Sequence, residues 1–271
     1  MPKIKKEKIF SVDGKIAVVI GAARGIGYAI ASLFAKSGGK VIMADLDGLE
    51  LNRKVQGLKS DGYVVHSLTA DIRNSKDMER LGQETLKLYG QIDDLYITPG
   101  INIRKRFLDY TEEEFQKVID INLKGSFLAM KELAKLMVNN ENGGSIILIS
   151  SIRSQVVEPG QSIYSATKAG IVQMVRGLAS ELGRYNIRVN AIAPGIVETD
   201  LTEPIKNDPE WYRAYKEKTA LKRWADPYEI AGPAVFLATK AAAYIDGTVI
   251  FVDGGWTAID GRFEPNLDVK P

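Results

Sequence analysis

The chain has 271 residues and a formal net charge of +2, with 45% hydrophobic and 26% charged residues. This composition is typical of one globular domain whose core needs no cross-links. With no Cys and one His, His66, the sequence excludes disulfides and thiolate or His-rich metal sites, and we expect no metal ion. His66 falls in a predicted strand, so we expect it to be structural and not part of a catalytic triad.

The start of the chain is predicted to be a solvated tail and not a targeting segment. Residues 1–11 form a basic tail that precedes no apolar signal segment. No apolar run approaches the roughly 20 residues of a membrane helix, and no basic stripe suggests nucleic-acid binding. We therefore expect a cytoplasmic protein with neither membrane nor nucleic acid as a partner.

The first predicted elements form a glycine-rich corner. An apolar strand at 15–20 leads into Gly21, Gly25 and Gly27, and residues 28–36 then have helical spacing. Glycines let the backbone approach an anion closely, and the helix N-terminus favours negative charge. In this strand–turn–helix context the motif predicts a dinucleotide phosphate site, which also includes Arg24 and Ile26.

The second strand, 40–44, ends in Asp45, which is followed by Leu46. An acidic residue at this point suits two ribose hydroxyls and repels a 2′-phosphate, so NAD is preferred over NADP. Two alternatives leave the preference for NAD open. Asp45 could instead cap the helix that begins near Gly48, and Arg24 could pair with a 2′-phosphate.

The pattern of strands and helices continues along the chain. Pro99 and Gly100 end the fourth strand, Thr111 opens a helix with a capping box, and Asn122 and Gly125 within that helix predict a kink. Residues 200–224 are polar and aromatic and predict a mobile helical flap. The remaining helices are predicted at 48–60, 75–89, about 162–182 and 226–239, and the remaining strands at 63–68, 93–98, 145–150, 187–192 and 249–252.

Seven strands that alternate with helices predict a parallel sheet with helices on both faces. We expect a single-domain Rossmann fold over residues 1–271, with a C-terminal extension at 257–271. Ligands bind at the carboxyl ends of strands in such sheets. Ser151 closes the fifth strand there, and Tyr164 and Lys168 lie four residues apart on one helix face. Taken alone, this pair is more typical of a half-buried Tyr beside a snorkelling Lys than of a catalytic site.

With these motifs together, the chain resembles the short-chain dehydrogenase/reductase family over about residues 12–256. The family's glycine signature is kept except for its Thr, and Asp45, Asp71, Asn122, Ser151, the Tyr164–Lys168 pair and the Pro194–Gly195 loop match in order. The Asn-Asn-Ala-Gly signature is replaced by Ile97-Thr98-Pro99-Gly100. The resemblance assigns cofactor contacts to Gly21, Arg24, Gly25, Ile26, Gly27, Asp45, Leu46, Asp71, Ile72, Thr98, Gly100, Tyr164, Lys168, Pro194, Val197 and Thr199.

The resemblance also implies a reaction and an assembly. Asn122, Ser151, Tyr164 and Lys168 would be catalytic in an NAD(P)-dependent exchange of hydride with a secondary alcohol or ketone. Tyr164 would exchange the substrate proton, and Asn122 would position a water for proton relay. Because a free phenol has a pKa near 10, Lys168 and the oxidised cofactor are expected to favour the phenolate. Relatives are commonly homotetramers.

The substrate is predicted from the polar residues around Ser151. Arg153, Gln155, Glu158 and Gln161 suit a hydroxyl-rich ligand, and Arg104, Arg106 or Arg153 could bind a carboxylate. The arginines could instead pair at a subunit interface or face water. We expect a sugar, polyol or sugar acid as substrate. The alternatives are a 3-oxoacyl-acyl-carrier-protein reductase and a non-catalytic nucleotide-binding protein.

Overall fold

The computed structural model describes residues 8–260, so most of the predicted basic tail and of the C-terminal extension lies outside the described residues. The strands are β1 Ile16–Ile20, β2 Lys40–Asp45, β3 Val65–Thr69, β4 Asp94–Ile97, β5 Gly144–Ile149, β6 Ile187–Pro194 and β7 Val249–Val252. The helices are α1 Gly25–Lys36, α2 Gly48–Ser60, α3 Ser75–Tyr89, α4 Glu112–Ile119, α5 Gly125–Met137, α6 Ser162–Leu182, α7 Glu203–Lys206, α8 Pro209–Lys218 and α9 Pro227–Ala238.

The seven strands form one parallel sheet in the order β3-β2-β1-β4-β5-β6-β7, which confirms the predicted fold. The order reverses direction between β1 and β4, which pair with Val18 opposite Leu95. Successive residues of a strand point to opposite faces, so Ala17 and Val19 pack with α1, α2 and α9 while Val18 and Ile20 pack with α3, α5 and α6. Both faces are covered, as the long apolar strands require.

Two elements differ in detail from their sequence patterns. The third strand begins at Val65 and not at Tyr63, because the Tyr63 N–H is used by the Leu58 carbonyl at the end of α2. The kink expected near Asn122 is present as a π-helical segment, Asp120–Lys124, between α4 and α5. Such single-turn π segments insert one residue into a helix and often occur at functional sites.

The segment 200–224 is helical, as predicted, and it packs against the sheet edge that carries the carboxyl ends of β5 and β6. Ile205, Tyr215 and Trp224 from this segment form a buried cluster with Ile152 and Trp256. We call residues 200–224 the flap. Within residues 8–260, no helix is long and apolar enough to cross a bilayer.

Candidate active site

The glycine corner lies at the carboxyl end of β1 and opens a groove of about 750 Å³. Gly21 and Gly25 have φ angles of 82° and 52°, which disfavour any side chain. A Cβ on Gly27 would lie 2.0 Å from the Gly21 carbonyl oxygen, so only glycine allows α1 to approach β1 this closely. The groove is lined by twelve of the predicted cofactor residues: Gly21, Arg24, Gly25, Ile26, Gly27, Asp45, Leu46, Asp71, Ile72, Thr98, Gly100 and Thr199.

Asp45 supports the glycine corner from the end of β2. Its carboxylate accepts the Ala23 N–H and the Asp47 N–H, both at 3.0 Å. The neighbouring Asp47, and not Asp45, caps α2 by accepting the Glu50 N–H. The capping alternative for Asp45 is therefore wrong, and its carboxylate faces the groove where a ribose is expected.

Two charged residues of the groove are already paired. Arg24 donates to Asp47 at 2.5 Å and lies 3.5 Å from Asp200 at the start of the flap. Its guanidinium is thus held by two carboxylates and not presented as an unpaired cation. Asp71 pairs with Arg73 at 2.6 Å, which lowers the pKa of Asp71 mainly through the side-chain hydrogen bond.

Thr98 stands at the second asparagine of the family signature and packs against the glycine corner. The Thr98 hydroxyl donates to the Ile20 carbonyl at 2.8 Å, and the missing side chains of Gly21 and Gly27 leave room for it. Gly100, the one residue of the signature that this chain keeps, lies close to Lys168. A Cβ on Gly100 would lie 3.1 Å from the Lys168 ammonium nitrogen.

Asn122 is fully buried in the π segment and lines neither the groove nor the adjoining cavity. Its amide accepts the Ile101 N–H at 2.8 Å and donates to the Ile101 carbonyl at 2.9 Å. It also donates to the Thr167 hydroxyl at 3.1 Å. The side chain therefore fixes the loop after β4 to α6, and its predicted water-positioning role stays a prediction.

Ser151, Tyr164 and Lys168 meet in a cavity of about 140 Å³ that adjoins the groove through Ile26 and Gly100. Ser151 lies two residues after the end of β5, while Tyr164 and Lys168 lie in the first two turns of α6. Their side chains are buried, and Lys168 donates to the Ile149 carbonyl at 2.9 Å. The predicted residues Arg104, Arg153, Pro194, Val197 and Thr199 line the same cavity.

Burial dominates the electrostatics of the Tyr164–Lys168 pair. Desolvation raises the pKa of Tyr164, while the Ser151 hydrogen bond and the charges of Arg153 and Arg104 lower it to a smaller extent. Desolvation lowers the pKa of Lys168 to about 8. The Lys168 nitrogen lies 5.6 Å from the centre of the Tyr164 ring. Without a bound cofactor, desolvation outweighs the nearby charges at Tyr164. The expectation that Lys168 and the oxidised cofactor together favour the phenolate stays a prediction.

The polar wall of the cavity is organised by Glu158. Its carboxylate accepts from Arg104, Gln161 and Tyr215, and from Arg153 at 2.7 Å. The arginines thus pair within the chain, which neither of the two sequence interpretations anticipated. Two further candidates are placed elsewhere: Gln155 is exposed and Arg106 pairs with Asp109 on the surface, so neither lines the cavity.

Two aromatic residues of the cavity were not identified from the sequence. Tyr215 of α8 and Trp256, just after β7, line it and contact each other edge-on with ring centres 5.2 Å apart. The aromatic content of 200–224 was visible in the sequence. Its contact with Trp256 was not, because the two are distant in the chain and meet only where the flap folds over the sheet edge.

The fold, the glycine groove and the Ser151–Tyr164–Lys168 arrangement define a dinucleotide-dependent oxidoreductase. Residues 21–257 match the family described as enoyl-(acyl carrier protein) reductase. The chain is 37% identical over 248 residues to the L-rhamnose-1-dehydrogenase of Scheffersomyces stipitis, covering 90% of this chain and 96% of that protein. It is 36% identical over 250 residues to a 3-oxoacyl-acyl-carrier-protein reductase of Thermotoga maritima, covering 90% and 98%.

A solved structure extends this comparison. The gluconate 5-dehydrogenase of Burkholderia cenocepacia, in complex with NADP and tartrate, is similar with a TM-score of 0.89 at 27% identity. The match covers 93% of this chain and 98% of that one. The chain belongs to the short-chain dehydrogenase/reductase family and is an NAD(P)-dependent oxidoreductase that acts on CH–OH groups.

Proposed function

We propose that the protein oxidises a secondary alcohol of a sugar, polyol or sugar acid, or reduces the corresponding ketone. The observation that carries this proposal is the composition of the cavity around Tyr164, where Asn102, Arg104, Arg153 and Gln161 supply polar groups. Within this wall the buried Oδ1 of Asn102 has no hydrogen-bond partner among the described residues, and a buried polar group left without a partner costs about 1–3 kcal/mol. A hydroxyl-rich substrate offers a donor to this oxygen, whereas an acyl chain or steroid does not.

We infer the following roles for the residues at the cavity. Tyr164 accepts the substrate hydroxyl proton at its phenolic oxygen, and Ser151 donates a hydrogen bond to the substrate oxygen as negative charge develops there. Lys168, fixed on the Ile149 carbonyl, presents its ammonium beside Tyr164 and would hold the ribose of a bound cofactor. A bound nicotinamide cofactor supplies the hydride acceptor, and the chain's own residues orient it.

The groove fits such a cofactor on the observations of this structure. Its glycine corner exposes backbone where a Cβ would block the approach, and the carboxylate of Asp45 faces the groove next to it. We propose that NAD is preferred over NADP, because Asp45 and Asp47 place negative charge where a 2′-phosphate would lie. Arg24, a cation of the groove that could offset this charge, is paired with Asp47. A comparison of kcat/KM with NAD and with NADP tests the preference.

The experiment that tests the substrate class is a panel of neutral sugars, polyols and aldonates with NAD and NADP, followed at 340 nm. We expect turnover within this panel and none with a 3-oxoacyl thioester. The similarity to a 3-oxoacyl-acyl-carrier-protein reductase makes that thioester the informative competitor. Activity on the thioester, with none on the panel, would refute the proposed substrate class.

The similarity to proteins named as sugar and sugar-acid dehydrogenases supports the same class. A homotetramer and a cytoplasmic location stay predictions. Sedimentation of the purified protein tests the first of these, and fractionation of cells tests the second.

A further inference from the structure

Glu158 lies in the loop between the strand that ends before Ser151 and the helix that carries Tyr164. Its side chain accepts from four donors that belong to three segments of the chain. Arg104 comes from the loop after β4, Arg153 and Gln161 from the Glu158 loop itself, and Tyr215 from α8 of the flap.

These contacts use the hydrogen-bonding capacity of the carboxylate. Arg104, Gln161 and Tyr215 converge on Oε1, and Arg153 donates to Oε2. The side chain is only 21% exposed, and the Arg153 side chain that it holds is 8% exposed. Glu158 is thus a junction between cavity-lining groups.

The two arginines depend on this junction for their positions. Arg104 packs its guanidinium over the Trp211 ring at 4.7 Å, and Arg153 packs over Trp256 at 5.4 Å. Both aromatic partners belong to, or pack against, the flap. Movement of the flap away from Glu158 would therefore displace the stacked aromatic partners of both arginines.

We propose that Glu158 is a positioning residue that latches the flap over the cavity. It holds Tyr215 of α8 to the loops that carry Arg104 and Arg153, and so fixes the charges and the wall that the substrate contacts. Glu158 acts through these residues and does not itself touch the reacting atoms. The proposal rests on the proposed use of this cavity as the substrate site.

Helix α8 carries two tyrosines that each contact a glutamate, and one of them can serve as a control for the other. Tyr215 contacts Glu158 inside the cavity, whereas Tyr212, three residues earlier, contacts Glu198 on the surface at 3.4 Å. Glu198 also pairs with Lys206 of α7 at 2.8 Å, so it too is a glutamate bound to the flap. Glu198→Gln and Tyr212→Phe therefore remove flap contacts of the same chemical kind outside the cavity.

The first test needs no substrate. The protein has three tryptophans, and Trp211, Trp224 and Trp256 all lie in or against the flap, so intrinsic fluorescence reports this region. We expect Glu158→Gln to move the emission to longer wavelength and to increase quenching by acrylamide, with Glu198→Gln unchanged. Equal spectra and quenching for the two variants would overturn the latch.

The second test uses the best substrate of the panel. A hydrogen bond to a charged group contributes about 1.5–3 kcal/mol, so Glu158→Gln should lower kcat/KM about 10- to 100-fold, mainly by raising KM. Tyr215→Phe should show a smaller change in the same direction, and Tyr212→Phe none. A fall in kcat at constant KM in both latch variants would overturn the positioning role. Because Tyr215→Phe keeps the buried ring, it separates loss of the latch from a failure to fold.

The two proposals fail in different ways. If no sugar, polyol or aldonate is turned over but the fluorescence of Glu158→Gln changes as expected, the substrate class is wrong and the latch stands. If the panel is turned over but Glu158→Gln behaves like Glu198→Gln in both tests, the latch is wrong and the substrate class stands.

Discussion

Replacing Lys168 with Met should make the protein more stable while it removes activity. Lys168 is 3% exposed, and the only hydrogen bond of its ammonium group within residues 8–260 is to the Ile149 carbonyl. Desolvation lowers its pKa from 10.5 to about 8. Each unit corresponds to 1.36 kcal/mol, so holding the ammonium in the cavity costs about 3 kcal/mol at neutral pH.

The net gain expected for Lys168→Met is smaller than this cost. Loss of the bond to Ile149 removes about 1 kcal/mol, which leaves the variant about 2 kcal/mol more stable below pH 8. The contribution of Lys168 to wild-type stability is most favourable above pH 10.5, where the lysine is neutral in both the folded and the unfolded state. It becomes less favourable as the pH decreases from 10.5 to 8. The advantage of the variant should therefore shrink as the pH rises through this window.

Urea unfolding followed by circular dichroism at pH 7, 8 and 9.5 measures this difference. Lys87→Met is the matched control, because Lys87 is exposed and its ammonium nitrogen forms only a long surface ion pair, at 4.0 Å, with the Glu84 carboxylate. We expect the control to change the free energy of unfolding by less than about 0.5 kcal/mol. A Lys168→Met variant no more stable than wild type at pH 7, or a gap that is the same at pH 7 and 9.5, would refute the reasoning.

Three further substitutions test the site. Tyr164→Phe should lower kcat about 10²- to 10⁴-fold with NAD affinity retained, since general acid–base catalysis contributes this much; a tenth of wild-type activity would contradict it. Asp45→Ser should raise the NADP-to-NAD ratio of kcat/KM about tenfold or more, because one repulsive charge is removed; an unchanged ratio contradicts the assigned preference. Thr98→Val should destabilise by about 1 kcal/mol through loss of the bond to Ile20, and Thr98→Ser, which keeps the hydroxyl, should not; equal urea midpoints would show that the bond contributes nothing.

The fold could be predicted because local patterns and the global arrangement agree. Strands that alternate with helices leave a parallel sheet as the simple solution, and the carboxyl ends of its strands then collect Gly21, Asp45, Ser151 and Pro194 at one edge. Even the irregular turn at Asn122 was visible, since an asparagine within a helix is unfavourable without a tertiary partner. That partner is the backbone of Ile101.

The arrangement of charges could not be predicted in the same way. Arg104 and Glu158 are 54 residues apart, and Tyr215 and Glu158 are 57 apart, so their contacts depend on how loops and flap fold over the sheet. Arg24 likewise has several acidic neighbours in the sequence, and only the fold selects Asp47 and Asp200. Residue type predicted that these side chains are polar groups of a site. It did not predict which of them are already paired.

Burial shifts the pKa values of Tyr164 and Lys168 in opposite directions and reverses their order. It raises the pKa of Tyr164 and lowers the pKa of Lys168 to about 8, so within the protein the lysine loses its proton before the tyrosine does. The pH profile of kcat/KM reports the free enzyme, and we expect a limb near pH 8 from Lys168, whose charge then disappears beside Tyr164. A profile whose only basic limb lies above pH 10 would show that the charge of Lys168 does not govern the reaction.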